Sequence, residues 1–189
     1  MTVPISSDLT PFLYVIVCGC GNAGDIGTLI DAAQKRHWDV GVIATPQGFG
    51  FIDAEAIATL TGYPVRSAWH APGDARSFPP ADAIAVAPAS FNTVNKWAAG
   101  ICDTLALSVL CESHGLGTPT AVLPYVNSAL AAHPAYRRSL ELLRETGVLI
   151  GTYEPHRPKA GGGAHRFPWH EALDLLEPRL GRRPVSGSP

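Results

Sequence analysis

The sequence predicts an α/β protein with a parallel sheet that carries helices on both faces. Strand-like apolar segments alternate with helix-like segments along the chain, and a glycine-rich stretch at 18–24 directly follows the first strand-like segment. Such alternation needs crossover connections, which make the strands parallel and place helices on both sides of the sheet. With 189 residues, 46% of them hydrophobic, the chain is long enough for one domain with a sizeable core.

Short, continuous apolar runs rich in β-branched residues predict the buried strands of this sheet. The first run is LYVIVC at 13–18, and the second is DVGVIAT at 39–45. Further runs predict strands at 81–88, 119–125 and 148–151.

Apolar residues at helical spacing predict the intervening helices. They begin with the segment at 26–33, which follows the glycine-rich stretch. The segment at 53–62 has Asp53 as a candidate N-cap and Gly62 as a residue that can end a helix. Further helices are predicted at 92–100, 103–115, 135–147 and 167–180.

The domain boundaries follow from where the core pattern begins and ends. We expect residues 1–12 to form an N-terminal segment, 13–178 a single domain, and 179–189 a disordered tail, because GRRPVSGSP lacks core residues. The loop at 154–166, EPHRPKAGGGAHR, is rich in glycine, proline and basic residues. It is either a solvated surface loop or a mobile flap, and both interpretations stay open.

Composition and charge exclude several classes of partner. The formal net charge of −2 and a pI near 6.4 argue against binding to nucleic acid or to an anionic membrane. No apolar run approaches the roughly 18 residues of a membrane span, and the first residues lack the pattern of a secretory signal. The seven histidines show no metal-ligand spacing, so no metal site is predicted.

Cysteine usage predicts the compartment. The chain has four cysteines, without a C-x-x-C pair or a dense framework. We expect them to be reduced thiols in a cytoplasmic protein.

Ligands of parallel sheets bind beyond the carboxyl ends of the strands. The segments that follow the first four predicted strands are therefore the candidate ligand loops. They are 18–24, 45–51, 88–93 and 124–130.

The first of these loops contains a G-x-G-x-x-G pattern at Gly19, Gly21 and Gly24. A dinucleotide site also needs an acidic residue near the end of the second strand, where this chain has Thr45 and Pro46. The pattern alone is therefore a weak indication of NAD.

Small hydroxylated residues indicate a different ligand. Thr45, Ser90 and Thr93 all lie in the candidate loops, and the glycines allow the backbone to approach an anion at a helix N-terminus. This combination favours a phosphate monoester attached to a flat ring over a pyrophosphate.

Several motifs then occur in a known order. APASFNTVNKWAAGICDTL at 87–105 resembles the PASANT motif of the flavin-containing cysteine decarboxylases. This family includes the phosphopantothenoylcysteine and the lantibiotic peptidyl-cysteine decarboxylases. Within the hexapeptide PASFNT at 88–93, only Phe91 differs from the motif. DVGVIATP at 39–46 looks like the family's second strand and its T-P turn. LPYVNSALAAHP at 123–134 is similar to the family's P-x-M-N-x-x-M-W motif, and the resemblance covers about 13–150.

The resemblance implies a flavodoxin-like, Rossmann-like three-layer sandwich, bound FMN, and a homotrimer or a multiple of trimers with the flavin between subunits. It implies FMN contacts in three loops and two motif asparagines at the substrate and the flavin. The FMN contacts are Gly19, Cys20, Thr45, Phe51, Ala89, Ser90 and Thr93, and the asparagines are Asn92 and Asn127.

The family's reaction is an oxidative decarboxylation. FMN takes a hydride from the carbon that bears the cysteine thiol, the resulting thioaldehyde acts as an electron sink, and CO2 leaves to give an enethiol. The resemblance therefore implies decarboxylation of a cysteine-like thiol on a small molecule or a peptide.

The chain departs from the family's pattern at the catalytic histidine. The matching position holds Asp74, and the nearest histidine is His70. Asp74 is either a base or a turn residue beside Gly73. His70 either reaches the site through a shifted loop or is an ordinary surface-loop histidine.

The substrate motif and the C-terminal flap also differ from the family's pattern. Asn127 is retained while both methionines and the tryptophan of the motif are absent, and Asn127 either holds a substrate carboxylate or caps a helix. Some members of the family then reduce the enethiol, using a cysteine of the C-terminal flap as the acid. The matching segment here, KAGGGAHRF at 159–167, has no cysteine, so this reductive second half-reaction is not expected. Two alternatives stay open: a flavin prenyltransferase on the same fold, and a non-catalytic FMN-binding regulatory protein.

Overall fold

A parallel sheet organises the computed structural model, which describes residues 10–69, 78–159 and 163–180. In those residues five strands pair in the order β2-β1-β3-β4-β5, and every pair is parallel. This confirms the predicted α/β fold. The strands are β1 (Phe12–Val17), β2 (Asp39–Ala44), β3 (Ala83–Ala89), β4 (Thr120–Pro124) and β5 (Leu149–Ile150).

The helices of the described residues alternate with the strands as the sequence predicts. Short 3-10 turns lie at Ala23–Ile26, Ala164–Arg166 and Glu177–Arg179. The helices are α1 (Gly27–Lys35), α2 (Pro46–Phe49), α3 (Ala54–Thr61), α4 (Phe91–Ala98), α5 (Leu105–Leu116), α6 (Ser128–Ala131), α7 (Pro134–Glu145) and α8 (Glu171–Leu176). No helix in the three described ranges is long and apolar enough to cross a membrane.

The core is divided into two layers by the sheet, because successive side chains of a strand point to opposite faces. Leu13 and Val15 of β1 pack in a cluster with buried residues of α1, α3 and α8. Phe12 and Ile16 pack in a second cluster with residues of α4, α5 and α7. The result is the predicted three-layer sandwich.

Local sequence signals set the ends of α3. The Asp53 carboxylate accepts a hydrogen bond from the Ala56 backbone N–H at 2.9 Å. Gly62 ends the helix with a left-handed φ of 76°, which glycine adopts without strain. Both residues act as the sequence predicts.

The last predicted helix, 167–180, is shorter in the structure. Phe167 has extended backbone because it precedes Pro168, so the helix begins only at Glu171. After Leu176 the chain continues as a 3-10 turn that contains Pro178. Residues 1–9, 160–162 and 181–189 lie outside the described residues, and so do most of the predicted N-terminal segment and most of the predicted tail.

The carboxyl ends of the central strands meet at one edge of the sheet, held by backbone hydrogen bonds. Thr45 N–H donates to the Val17 carbonyl at 2.9 Å, and Cys18 N–H donates to the Pro88 carbonyl at 3.1 Å. Tyr125 N–H donates to the Ala89 carbonyl at 2.9 Å. The loops after β1, β2, β3 and β4 are therefore brought together.

Candidate functional site

A cleft of about 520 Å³ opens at this edge of the sheet. Its size is within the range of small-molecule and cofactor sites. All four candidate ligand loops contribute to it, and α5 and the segment after β5 complete its wall.

Seven residues that the sequence predicts as site residues line this cleft. They come from loops that are far apart in the chain and adjacent only because the strands are parallel. They are Gly19, Cys20, Thr45, Ser90, Asn92, Thr93 and Asn127.

Four other predicted site residues do not line the cleft in the described part of the chain. Ala89 is fully buried within β3, and Phe51 is 47% exposed just after α2. His70 and Asp74 lie outside the described residues. The roles that the resemblance implies for these residues stay predictions.

The N-terminus of α4 forms one wall of the cleft. The Ser90 hydroxyl accepts a hydrogen bond from Thr93 N–H at 3.2 Å and donates to the Thr93 hydroxyl at 3.0 Å. Cys18 Sγ donates to the same Thr93 hydroxyl at 3.2 Å. This network fixes the first turn of the helix, whose unpaired N–H groups and dipole favour an anion.

The loop after β2 approaches the β1 loop very closely. The Thr45 hydroxyl accepts a hydrogen bond from Gly48 N–H at 3.0 Å and so caps the short helix α2. A Cβ at Gly48 would lie 2.5 Å from the Val17 carbonyl oxygen, and one at Gly19 would lie 2.9 Å from Gln47 Cγ. At Gly48 glycine is required because its backbone packs directly on the backbone of Val17.

A buried amide lies within the first candidate ligand loop. Asn22 follows the lining residue Gly21 and is 1% exposed, yet neither of its amide atoms has a hydrogen-bond partner within the described chain. A buried polar group left unsatisfied costs about 1–3 kcal/mol. The described chain therefore holds an unused donor and acceptor one residue after a residue that lines the cleft.

The two cysteines of the first loop are buried thiols. Burial raises the pKa of Cys18 and of Cys20 above the ordinary value for a thiol. Both therefore stay protonated at neutral pH, and Cys20 presents a neutral side chain to the cleft.

Asn127 caps α6. Its side-chain oxygen accepts a hydrogen bond from Leu130 N–H at 2.9 Å, as one of the two sequence interpretations predicts. The cap uses only the oxygen, and Nδ2 has no partner among the described residues, so its donors can serve a ligand. The substrate role of Asn127 stays a prediction.

Several lining residues are missed by the sequence-based prediction of the site. Lys96 and Thr104 lie within the motif at 87–105, which is the signal that could have found them. Lys96 is ion-paired with Asp103, so its charge is compensated. Gln47, Leu107, Tyr125, Val126 and Leu130 follow strands or motifs closely, whereas His156 comes from the loop after β5 and has no local signal.

The chain is similar to known proteins along most of its length. It is 30% identical over 128 residues to the coenzyme A biosynthesis bifunctional protein CoaBC of Escherichia coli, which covers 65% of this chain and 31% of that protein. It is 29% identical over 122 residues to a probable phosphopantothenoylcysteine decarboxylase of Arabidopsis thaliana, covering 59% of each chain. The chain thus spans about a third of the bacterial bifunctional protein and just under two thirds of the plant protein.

Solved structures share the fold. The epidermin biosynthesis protein EpiD from Staphylococcus aureus superposes with a TM-score of 0.65 at 26% identity, covering 76% of this chain and 83% of that one. The FMN-dependent cysteine decarboxylase SpaF superposes with a TM-score of 0.61 at 24% identity, covering 75% and 82%. A protein-family model described as Flavoprotein matches residues 6–179. This match extends over most of the chain, and the protein belongs to the Flavoprotein family.

Proposed function

We propose that this protein binds FMN in the cleft and catalyses the oxidative decarboxylation of a cysteine-like thiol. The observation that carries the proposal is that Ser90, Asn92, Thr93 and Asn127, which belong to two separate motifs, line one cavity. The relatives named as cysteine or phosphopantothenoylcysteine decarboxylases support the same class of reaction.

The residues of the cleft suit a flavin mononucleotide. The capped N-terminus of α4 and the hydroxyls of Thr45 and Ser90 suit a phosphate monoester. The Asn22 amide has no partner among the described residues and follows the lining residue Gly21, so we assign its donor and acceptor to the polar parts of such a ligand. Leu107 and Val126 provide apolar surface for a ring.

Bound FMN would supply a hydride acceptor, and the chain's own residues would orient the substrate. Asn127 has Nδ2 donors free for a substrate carboxylate, while its oxygen is fixed by the α6 cap. A neutral amide orients a carboxylate without the strong stabilisation that a free cation would give, so CO2 can still leave. The ion pair with Asp103 makes Lys96 a poor competitor for that carboxylate.

The proposal extends to the assembly and the compartment. We propose the homotrimer, or multiple of trimers, that the resemblance to the cysteine decarboxylases implies. The exposed apolar residues Phe49, Phe51 and Leu130 around the ligand loops support an interface between subunits there. We propose that residues 13–178 form the flavin-binding domain. The four cysteines are free thiols, which supports a cytoplasmic protein.

The test is to purify the protein, record its flavin absorbance, and incubate it with free cysteine, phosphopantothenoylcysteine and cysteine-terminated peptides. We expect bound FMN, release of CO2, and a product lacking CO2 and two hydrogens. A protein that neither contains nor takes up FMN would overturn the cofactor assignment. Intact FMN binding without turnover of any thiol would favour the regulatory alternative, and a prenylated flavin would identify the prenyltransferase.

Replacement of Ser90 by alanine tests the anion-binding wall. We expect the free energy of unfolding to fall by about 1 kcal/mol, because the cap of α4 is lost. We also expect weaker binding of FMN, measured by fluorescence titration. The variant loses the Ser90 hydroxyl, and with it the hydrogen bonds to Thr93 that fix the first turn of α4.

Asp53→Ala is the matched control, since Asp53 caps α3 and does not line the cleft. It should lower stability in urea unfolding by a similar amount and leave the affinity for FMN unchanged. Equal loss of FMN affinity in both variants would contradict a specific role for Ser90.

A further inference from the structure

His156 is held beside the substrate motif by the backbone. Its carbonyl accepts a hydrogen bond from Ser128 N–H at 2.8 Å, and its N–H donates to the Val126 carbonyl at 3.3 Å. His156 thus forms a parallel bridge with Asn127. The residue comes from the loop at 154–166, so part of that loop is attached to the cleft and is not simply a solvated surface loop.

The ring of His156 lines the cleft and is oriented by two tyrosines. Its centroid lies 4.7 Å from that of Tyr125, with 31° between the ring planes. Nδ1 lies 3.4 Å from the Tyr153 hydroxyl. With Nδ1 beside Tyr153, Nε2 is the nitrogen left for a ligand.

Gly163 packs closely against this pair. A Cβ there would lie 2.3 Å from the Tyr153 hydroxyl oxygen and 3.7 Å from His156 Cβ. Its φ of 78° also requires glycine. The backbone at Gly163 therefore lies directly against the Tyr153 hydroxyl and restricts its position.

The other titratable groups that line the cleft within the described residues suit proton transfer less well. Burial raises the pKa of the Cys20 thiol, and Lys96 is engaged by Asp103. Burial also raises the pKa of Tyr125. An imidazole is the side chain that most readily exchanges a proton near neutral pH.

We propose that His156 is the catalytic base that accepts the proton of the substrate thiol, with Tyr153 as its positioning residue. The inference rests on the proposed function and assigns a residue to it. It also provides an imidazole at the cleft of a chain that has Asp74 at the position of the family's histidine.

The thiol proton passes to His156 and returns to the product at the end of the reaction. The S–H bond breaks and its proton moves to Nε2 of His156. Bound FMN would supply the oxidant, as the acceptor of a hydride from the carbon bonded to sulfur. The carbon–sulfur bond becomes double. The bond to the carboxylate then breaks, CO2 leaves, and its electron pair forms the enethiolate, which regains the proton from His156.

The test uses the FMN-loaded protein with His156→Gln and His156→Ala, and with His170→Gln as the control. His170 is exposed before α8 and does not line the cleft. We expect turnover of the thiol substrate to fall by about 100-fold or more in both His156 variants, with unchanged flavin content. Added imidazole should partly restore His156→Ala, which a purely structural defect would not permit.

A second readout does not depend on turnover. Histidines of the wild-type protein are modified with diethyl pyrocarbonate, and the modified peptides are quantified by mass spectrometry with and without the thiol substrate. The substrate should slow modification of His156 several-fold and leave His170 unaffected.

The outcomes separate the two proposals. A wild-type protein that decarboxylates no thiol overturns the proposed function. An active wild type whose His156→Gln variant keeps turnover within about threefold, or whose His156 is not protected by substrate, overturns only the role of His156. Loss of turnover in His70→Gln but not in His156→Gln would assign the base to His70.

Discussion

Replacing Gly48 with alanine should destabilise the protein by about 3 kcal/mol and abolish FMN binding. The new Cβ would lie 2.5 Å from the Val17 carbonyl oxygen, 2.9 Å from the Thr45 hydroxyl oxygen and 3.1 Å from the Cys18 carbonyl carbon. Two of these obstacles are backbone atoms at the end of β1, an interior strand, and they cannot move without disturbing the sheet. Overpacking of this kind costs about 1–3 kcal/mol, and backbone obstacles favour the upper end.

The measurement is urea unfolding together with a fluorescence titration of FMN. Gly50→Ala is the matched control, because the nearest atom to a Cβ there is the Gln47 carbonyl oxygen at 3.8 Å. It should leave stability within about 0.5 kcal/mol of the wild type and bind FMN normally. Similar behaviour of the two variants would contradict the close approach of the two loops.

Replacing Asn22 with leucine should stabilise the flavin-free protein by about 1–3 kcal/mol and weaken FMN binding by at least about tenfold. Leucine has the same number of side-chain heavy atoms as asparagine and removes two buried polar atoms that have no partner in the described chain. The same change removes the donor and the acceptor that we assign to the ligand.

Urea unfolding with and without saturating FMN measures both effects. In the wild type, FMN should raise the free energy of unfolding according to its concentration and affinity, and in Asn22→Leu this increase should be much smaller. An unchanged affinity for FMN, or a less stable flavin-free variant, would show that Asn22 has another role.

The loops that build the cleft could be predicted from the sequence, because the parallel arrangement of the strands fixes the edge at which the following loops lie. Once β1 to β4 are parallel neighbours, their carboxyl ends must share one edge, so the loops that follow them converge. Seven of the predicted site residues line the cleft for this reason. The helix caps at Thr45, Ser90 and Asn127 can also be predicted from the sequence, since each polar side chain directly precedes a helix.

Residues in irregular connections could not be placed by the same reasoning. Phe51 matches the family's pattern, yet its side chain is half exposed and does not line the cleft of the described chain. The order of motifs does not determine the path of an irregular turn such as the one after α2. The roles of Phe51 and of Ala89 remain predictions that FMN titrations of their variants can test.

The sequence by itself determined the fold class, the ligand edge of the sheet and the motifs at Ser90 and Asn127. These features depend on local periodicity and on the geometry that any parallel sheet must have. Only the tertiary structure decided that His156 lies beside Asn127, that Asn22 is buried without a partner, and that Gly48 packs on Val17. Each of these depends on how distant segments pack against one another, and no spacing along the chain encodes that packing.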